Sequence, residues 1–128
     1  MKKAGRESDC AGSAIPDEIY FESEGCWIAE LWNTPGDEAV SIARARVEPG
    51  VTTQWHKLRR IVERYLLLDG EGRVEVGDAP PRNVRAGDVV VIPPDTRQRI
   101  CNIGAGDLIF LAVCTPRFRA EAYESLPG

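Results

Sequence analysis

A chain of 128 residues with 43% hydrophobic and 28% charged residues has the length of one domain and the makeup of an ordinary globular protein. Its net charge of -4 and isoelectric point near 5.1 give no field that would attract nucleic acid or an anionic membrane, so polyanion binding is disfavoured. The longest apolar runs, "GDVVVIPP" and "LIFLAVC", are too short to cross a bilayer as helices and read as buried strands.

The N-terminal "MKKAGRESDCAGSAIPDE" has charge, Gly and Ser but no apolar run behind its lysines, so it is not a secretory signal and a cytoplasmic protein is expected. Residues 1–15 read as a flexible arm and 16–128 as a single domain. From "DEIYFES" onward, short runs rich in Val, Ile, Tyr and Trp are separated by Gly, Pro, Asn and Asp, which is the punctuation of strands. Strands are expected over 18–22, 26–33, 40–47, 52–56, 63–69, 72–76, 83–85, 88–92, 98–102 and 108–114. The tail "TPRFRAEAYESL" is expected to form a short helix with Phe118, Ala122 and Tyr123 on one face. About ten short, closely spaced strands with almost no helical pattern argue for a sandwich or barrel.

Cys10, Cys26, Cys101 and Cys114 form no C-x-x-C pair and read as buried thiols, with Cys101 or Cys114 a candidate for a cavity wall. The chain has one histidine, His56, so no Ser or Cys nucleophile has a second imidazole to draw on and an acyl-transfer triad is disfavoured. "GEGRVEVG" lies on a hairpin with no strand-turn-helix context and is not a dinucleotide fingerprint.

Gly50, His56, Glu63 and Gly70 fall in register with the motif G-x5-H-x-H-x3,4-E-x6-G, and Gly87, Pro93 and Asn102 with G-x5-P-x-G-x2-H-x3-N. On these residues the chain resembles the cupins. The resemblance implies an all-β double-stranded β-helix, or jelly-roll β-barrel, with the arm and the short C-terminal helix outside it. Cupin metal sites use two histidines and the glutamate of the first motif and the histidine of the second. Leu58 and Gln98 stand at two of those histidine positions, and Asp95 stands where the family has Gly. The pair Gln54 and His56 is also similar to the Gln-x-His zinc ligands of mannose-6-phosphate isomerase-like cupins.

Alternation along the strands places Gln54, His56 and Leu58 on one face, Glu63, Tyr65 and Leu67 on another, and Gln98, Ile100 and Asn102 on a third; in the cupin arrangement all three face the lumen. The resemblance therefore implies a candidate metal shell of His56, Glu63, Gln54 and Gln98 for a divalent ion such as Zn, Mn, Fe or Ni, with Glu63 and Tyr65 in catalytic roles. Two functions stand open. One is a metal-dependent site acting on a small polar metabolite such as a sugar or sugar phosphate, by isomerase- or lyase-like chemistry. The other is a metal-free cupin that binds a small molecule without turnover, its His56 and Glu63 forming a satisfied buried cluster.

"KLRRIVER" puts Lys57, Arg59, Arg60 and Arg64 near the expected barrel mouth, as an anion clamp or as a solvated hairpin tip. Arg97 and Arg99 should face outward. Trp55, also outward by alternation, needs cover from a second subunit or from the N-terminal strand, and a homodimer is expected.

Overall fold

The structure is a computed structural model that describes residues 17–128, so the arm expected over 1–15 lies outside the described residues. Eleven strands follow in chain order: β1 (Ile19–Phe21), β2 (Cys26–Trp32), β3 (Ser41–Val47), β4 (His56–Leu58), β5 (Val62–Asp69), β6 (Glu71–Val76), β7 (Arg82–Arg85), β8 (Val89–Ile92), β9 (Gln98–Asn102), β10 (Leu108–Thr115) and β11 (Tyr123–Ser125). They form two antiparallel sheets, a six-stranded one in the order β1-β2-β3-β10-β5-β8 and a five-stranded one in the order β11-β4-β9-β6-β7. Together these make the jelly-roll barrel the strand pattern implies. No described helix is long and apolar enough to cross a membrane.

Period-two alternation decides what faces the lumen. On β10, Leu108, Phe110 and Cys114 are buried, and β5 turns Glu63, Tyr65 and Leu67 inward from the neighbouring position. A bulge at Ile109/Phe110 sets Asp69 opposite Ile109 and Leu67 opposite Phe110, which leaves Leu68 and Asp69 exposed without disturbing Leu67. Tyr65, Leu67, Val74, Ile92, Ile100, Leu108 and Phe110 belong to the main core cluster. A second cluster, Leu58, Ile61 and Cys114, is covered by Phe118, Ala122 and Tyr123.

Two motif positions have a direct backbone reason. Gly70 turns β5 into β6 at φ 89°, and a Cβ there would stand 2.6 Å from the Asp107 carbonyl oxygen. Only glycine fits. Asp95, where the family has Gly, keeps the left-handed conformation at φ 59°, while its N–H donates to the Leu58 carbonyl. Asp is among the residues that tolerate this region, so the substitution preserves the turn.

The expected strand at 52–56 is displaced: regular pairing begins only at His56, preceded by a lone bridge between Thr52 and Cys101. The cause is local. Thr53 still donates its N–H to the Ile100 carbonyl, but its Oγ1 takes the Ile100 N–H and the Gln54 N–H turns to the Glu24 carbonyl, so the ladder is interrupted between Thr53 and His56. The C-terminal helix is a single 3-10 turn, Ala120–Ala122, and the chain then straightens into β11, which the sequence pattern did not reveal.

Candidate functional site

A cavity of about 370 Å³ opens into the barrel between the two core clusters, with Ala45, Tyr65 and Phe110 on one side and Leu58, Phe118 and Tyr123 on the other. That volume suits a small organic molecule. Its polar groups gather where β4, β5 and the β1–β2 turn meet.

His56 comes from β4, whose His56 pairs with Gln98 of β9 on one side and Ser125 of β11 on the other. The side chain is 2% exposed and stacks on the Tyr123 ring at 5.1 Å between centroids. Its Nδ1 lies 2.7 Å from the Gln54 carbonyl oxygen. A carbonyl only accepts, so Nδ1 carries the proton and Nε2 presents a lone pair. Nε2 stands 3.4 Å from Glu24 Oε2.

Glu24 was not among the expected site residues. It sits in the "ESEG" turn between β1 and β2, held by its own N–H to the Phe21 carbonyl and by its carbonyl accepting from Gln54 N–H. A glutamate in a charged turn reads as solvated, and nothing in spacing ties it to a histidine thirty-two positions on. Only the closing of β1–β2 over the lumen brings it in. Burial raises its carboxyl to about 7.

Glu63, on β5, is raised to about 7 as well, by burial first and by the charge of Glu24 second. Gln98 is wholly buried and bridges: its Nε2 donates to Glu63 Oε1 at 2.9 Å, and its Oε1 accepts from the Tyr65 hydroxyl. Tyr65 and Glu63 are thus fixed by one amide. Burial lowers the His56 imidazole and raises Tyr65 well above its ordinary value. Both effects favour neutral groups in a dry pocket. Cys114 lines the cavity, with its thiol pushed up by burial, whereas Cys101 does not line it.

The remaining expected residues lie elsewhere. Gln54 precedes the regular part of β4 and sends its Nε2 to the Leu126 carbonyl, so it does not share the lumen with His56, and the Gln-x-His likeness finds no shared face. Asn102 is buried, but it ties the Val47 and Gly106 carbonyls and the Gly104 N–H, holding the β9–β10 turn instead of lining the cavity. Lys57 and Arg59 reach Glu124, Arg64 donates to the Thr115 hydroxyl, and none of the "KLRRIVER" cations lines the cavity. Trp55, expected to need cover from a second subunit or the N-terminal strand, is 8% exposed: Arg97 and Arg99 each stack over its ring at 4.4 Å, and Gly128 lies against its edge.

These contacts occupy the positions of the family's metal shell. Leu58 and Gln98 replace two imidazoles, the Gln98 oxygen is taken by Tyr65, and Gln54 is directed away. Among the described residues no three His, Cys, Asp or Glu side chains gather as a metal ion requires. The donors present do not fit the family's metal shell.

Residues 43–114 match the family model described as a cupin domain. An uncharacterised protein of Methanocaldococcus jannaschii is 34% identical over 109 residues, covering 84% of this chain and 86% of that protein. The chain belongs to the cupin domain family. It is also similar to oxalate decarboxylase OxdC of Bacillus subtilis, at 31% identity over 99 residues, covering 73% of this chain and 26% of OxdC. Among solved structures, the formate complex of the Lactobacillus farciminis oxalate decarboxylase superposes with a TM-score of 0.73 at 26% identity, covering 87% of this chain and 33% of that one. The chain spans about a third or less of the length of these two decarboxylases.

Proposed function

We propose that the protein is a small-molecule cupin whose lumen moves a proton on a bound metabolite, in lyase- or isomerase-like chemistry that needs no metal. The observation that carries this is the contact of Glu24 Oε2 with His56 Nε2, 3.4 Å apart at the wall of the cavity. Burial lowers the imidazole and raises both carboxyls to about 7, so a neutral imidazole that can accept a proton stands beside carboxyls that can give one near neutral pH, the complement that general acid–base transfer uses. In this reading His56 Nε2 accepts the proton from the substrate, Glu24 supplies or stores one, and Glu63 with Tyr65 orients the ligand from the opposite strand. The oxalate decarboxylases lend the small-substrate precedent for the barrel, and no more than that.

A second reading, binding without turnover, is favoured by the Gln98 bridge: Glu63 and Tyr65 are each already satisfied by one buried amide, as in a cluster kept for packing. A thermal-shift screen of small metabolites, followed by product analysis of each stabilising compound, separates the two. Conversion that is lost in His56→Ala while the ligand still binds supports the enzyme. Stabilisation with no conversion supports the binder, and absence of any stabilising compound removes both.

A further inference from the structure

The cavity wall has one sign of charge. Asp17, Glu24, Glu30 and Glu63 are among the residues that line it, His56 is its single histidine, and among the described residues no Lys or Arg lines it. The nearby cations do not line it: Arg44 and Arg46 pair with Glu18, and Arg117 and Arg119 with Glu38. Aromatic rings make up much of the rest of the wall, from Phe21, Tyr65, Phe110, Phe118 and Tyr123. A ligand carrying phosphate or carboxylate would enter a low-dielectric pocket with no Lys or Arg partner and with acidic residues facing it, an arrangement that penalises each buried negative charge. An ammonium nitrogen would meet the reverse, carboxylates at short range and the negative faces of aromatic rings.

Resting on the small-molecule reading above, we propose that the ligand of this lumen is an organic cation, its ammonium nitrogen directed at Glu24 and Glu63 and its apolar body packed against Phe21, Phe110 and Phe118. The sugar phosphate expected from family resemblance is disfavoured by the same wall. Binding draws on acids that are partly protonated near neutrality, so it strengthens as pH rises. The titratable groups facing the nitrogen are Glu24 from the β1–β2 turn, Glu30 from β2, His56 from β4 and Glu63 with Tyr65 from β5. Cys114 from β10, Tyr123 from β11 and Asp17 ahead of β1 complete the set. Glu24 and Glu63, raised to about 7, lose their protons as pH rises through neutrality and so favour a cation, and burial holds His56 toward the neutral form that does not oppose one.

The test is calorimetric titration of the full chain with three compounds of matched shape: phenethylammonium, the neutral phenethyl alcohol and the anionic hydrocinnamate. The cation is expected to bind about tenfold or more tightly than the alcohol, the anion not measurably, and the preference to grow between about pH 6 and about pH 8. Glu63→Gln and Glu24→Gln are each expected to erase most of that preference, in variants whose near-UV circular dichroism matches that of the native chain. Equal or tighter binding of the alcohol or the anion overturns the cation proposal and leaves the small-molecule reading intact. Failure of all three to bind, at every pH, overturns the cation proposal, and the small-molecule reading then stands or falls on the thermal-shift screen above.

Discussion

Glu24 Oε2 and His56 Nε2 face each other at 3.4 Å across the junction of the β1–β2 turn and β4, an acid and a base joined from opposite ends of the first sheet's closure over the second. The pair is buried enough that each group is held toward its uncharged form. Its consequences for stability are measurable without knowing the ligand.

The two acids and the imidazole act on stability with opposite signs. Glu24 and Glu63 hold their protons to about 7, against an ordinary 4.5, so between those values the folded chain binds more protons than the unfolded one and stability falls as pH rises. His56 is lowered from 6.5, so below that value the unfolded chain takes a proton the folded one refuses, and stability falls as pH drops. Glu24→Gln removes one falling limb. Urea unfolding at about pH 5 and about pH 8 should show the wild type's loss toward high pH shrinking by about 1–3 kcal/mol in the variant. An unchanged difference would mean Glu24 is not buried in the folded protein.

Gln98 is the keystone of the polar cluster. Replacing it by Ala leaves the Tyr65 hydroxyl and the Glu63 carboxyl without their shared partner in a site from which solvent is excluded. A loss of about 3 kcal/mol is expected from the orphaned groups and the cavity together. Tyr65→Phe, which removes only the hydroxyl, should cost about 1 kcal/mol. Equal, small effects in denaturant titrations would contradict the bridge.

The backbone accounts for the two turn positions in opposite ways. Gly70→Ala must fit a Cβ against the Asp107 carbonyl at positive φ and should cost about 2 kcal/mol or more. Asp95→Gly relieves a left-handed residue and should change stability by about 1 kcal/mol or less, in either direction. Both are read from thermal or urea midpoints, and the reverse order would place these turns wrongly.

How much of this the residues announced can be traced position by position. Turn chemistry and alternation carry strand identity, because Gly, Pro and Asp between apolar runs leave few other options; period two puts Glu63 and Tyr65 on one face of β5, and the likeness to the cupin motifs brings Gln98 of β9 to the same lumen. What alternation could not carry lies where the ladder is interrupted. Thr53 bonds Ile100 with its side chain and so shifts the start of β4, which takes Gln54 off the lumen face. Glu24 is invisible for a related reason: its role depends on a turn closing against a strand far along the chain, and its own neighbourhood, "ESEG", looks solvated. Trp55 finds cover from Arg97 and Arg99, residues that the pattern correctly sends outward but without saying what they rest on.

The metal question can be settled by restoring what is missing. Zinc or manganese should leave the thermal midpoint of the native chain unchanged, since Leu58 and Gln98 interrupt the shell. The double variant Leu58→His, Gln98→His returns imidazoles to the two motif positions and should be stabilised by the same ions. Stabilisation of the native chain would show that its own donors suffice.

Because His56 is the only histidine, its ring nitrogens give isolated signals in a ¹⁵N–¹H correlation spectrum, and a pH titration of those signals probes the central arrangement directly. The structure predicts the Nδ1–H tautomer, protonation below 6.5, and a second inflection near neutrality from the neighbouring carboxyls that weakens in Glu24→Gln. An Nε2–H tautomer, or a single ordinary titration unaffected by that variant, would contradict a shared imidazole–carboxyl site in the lumen.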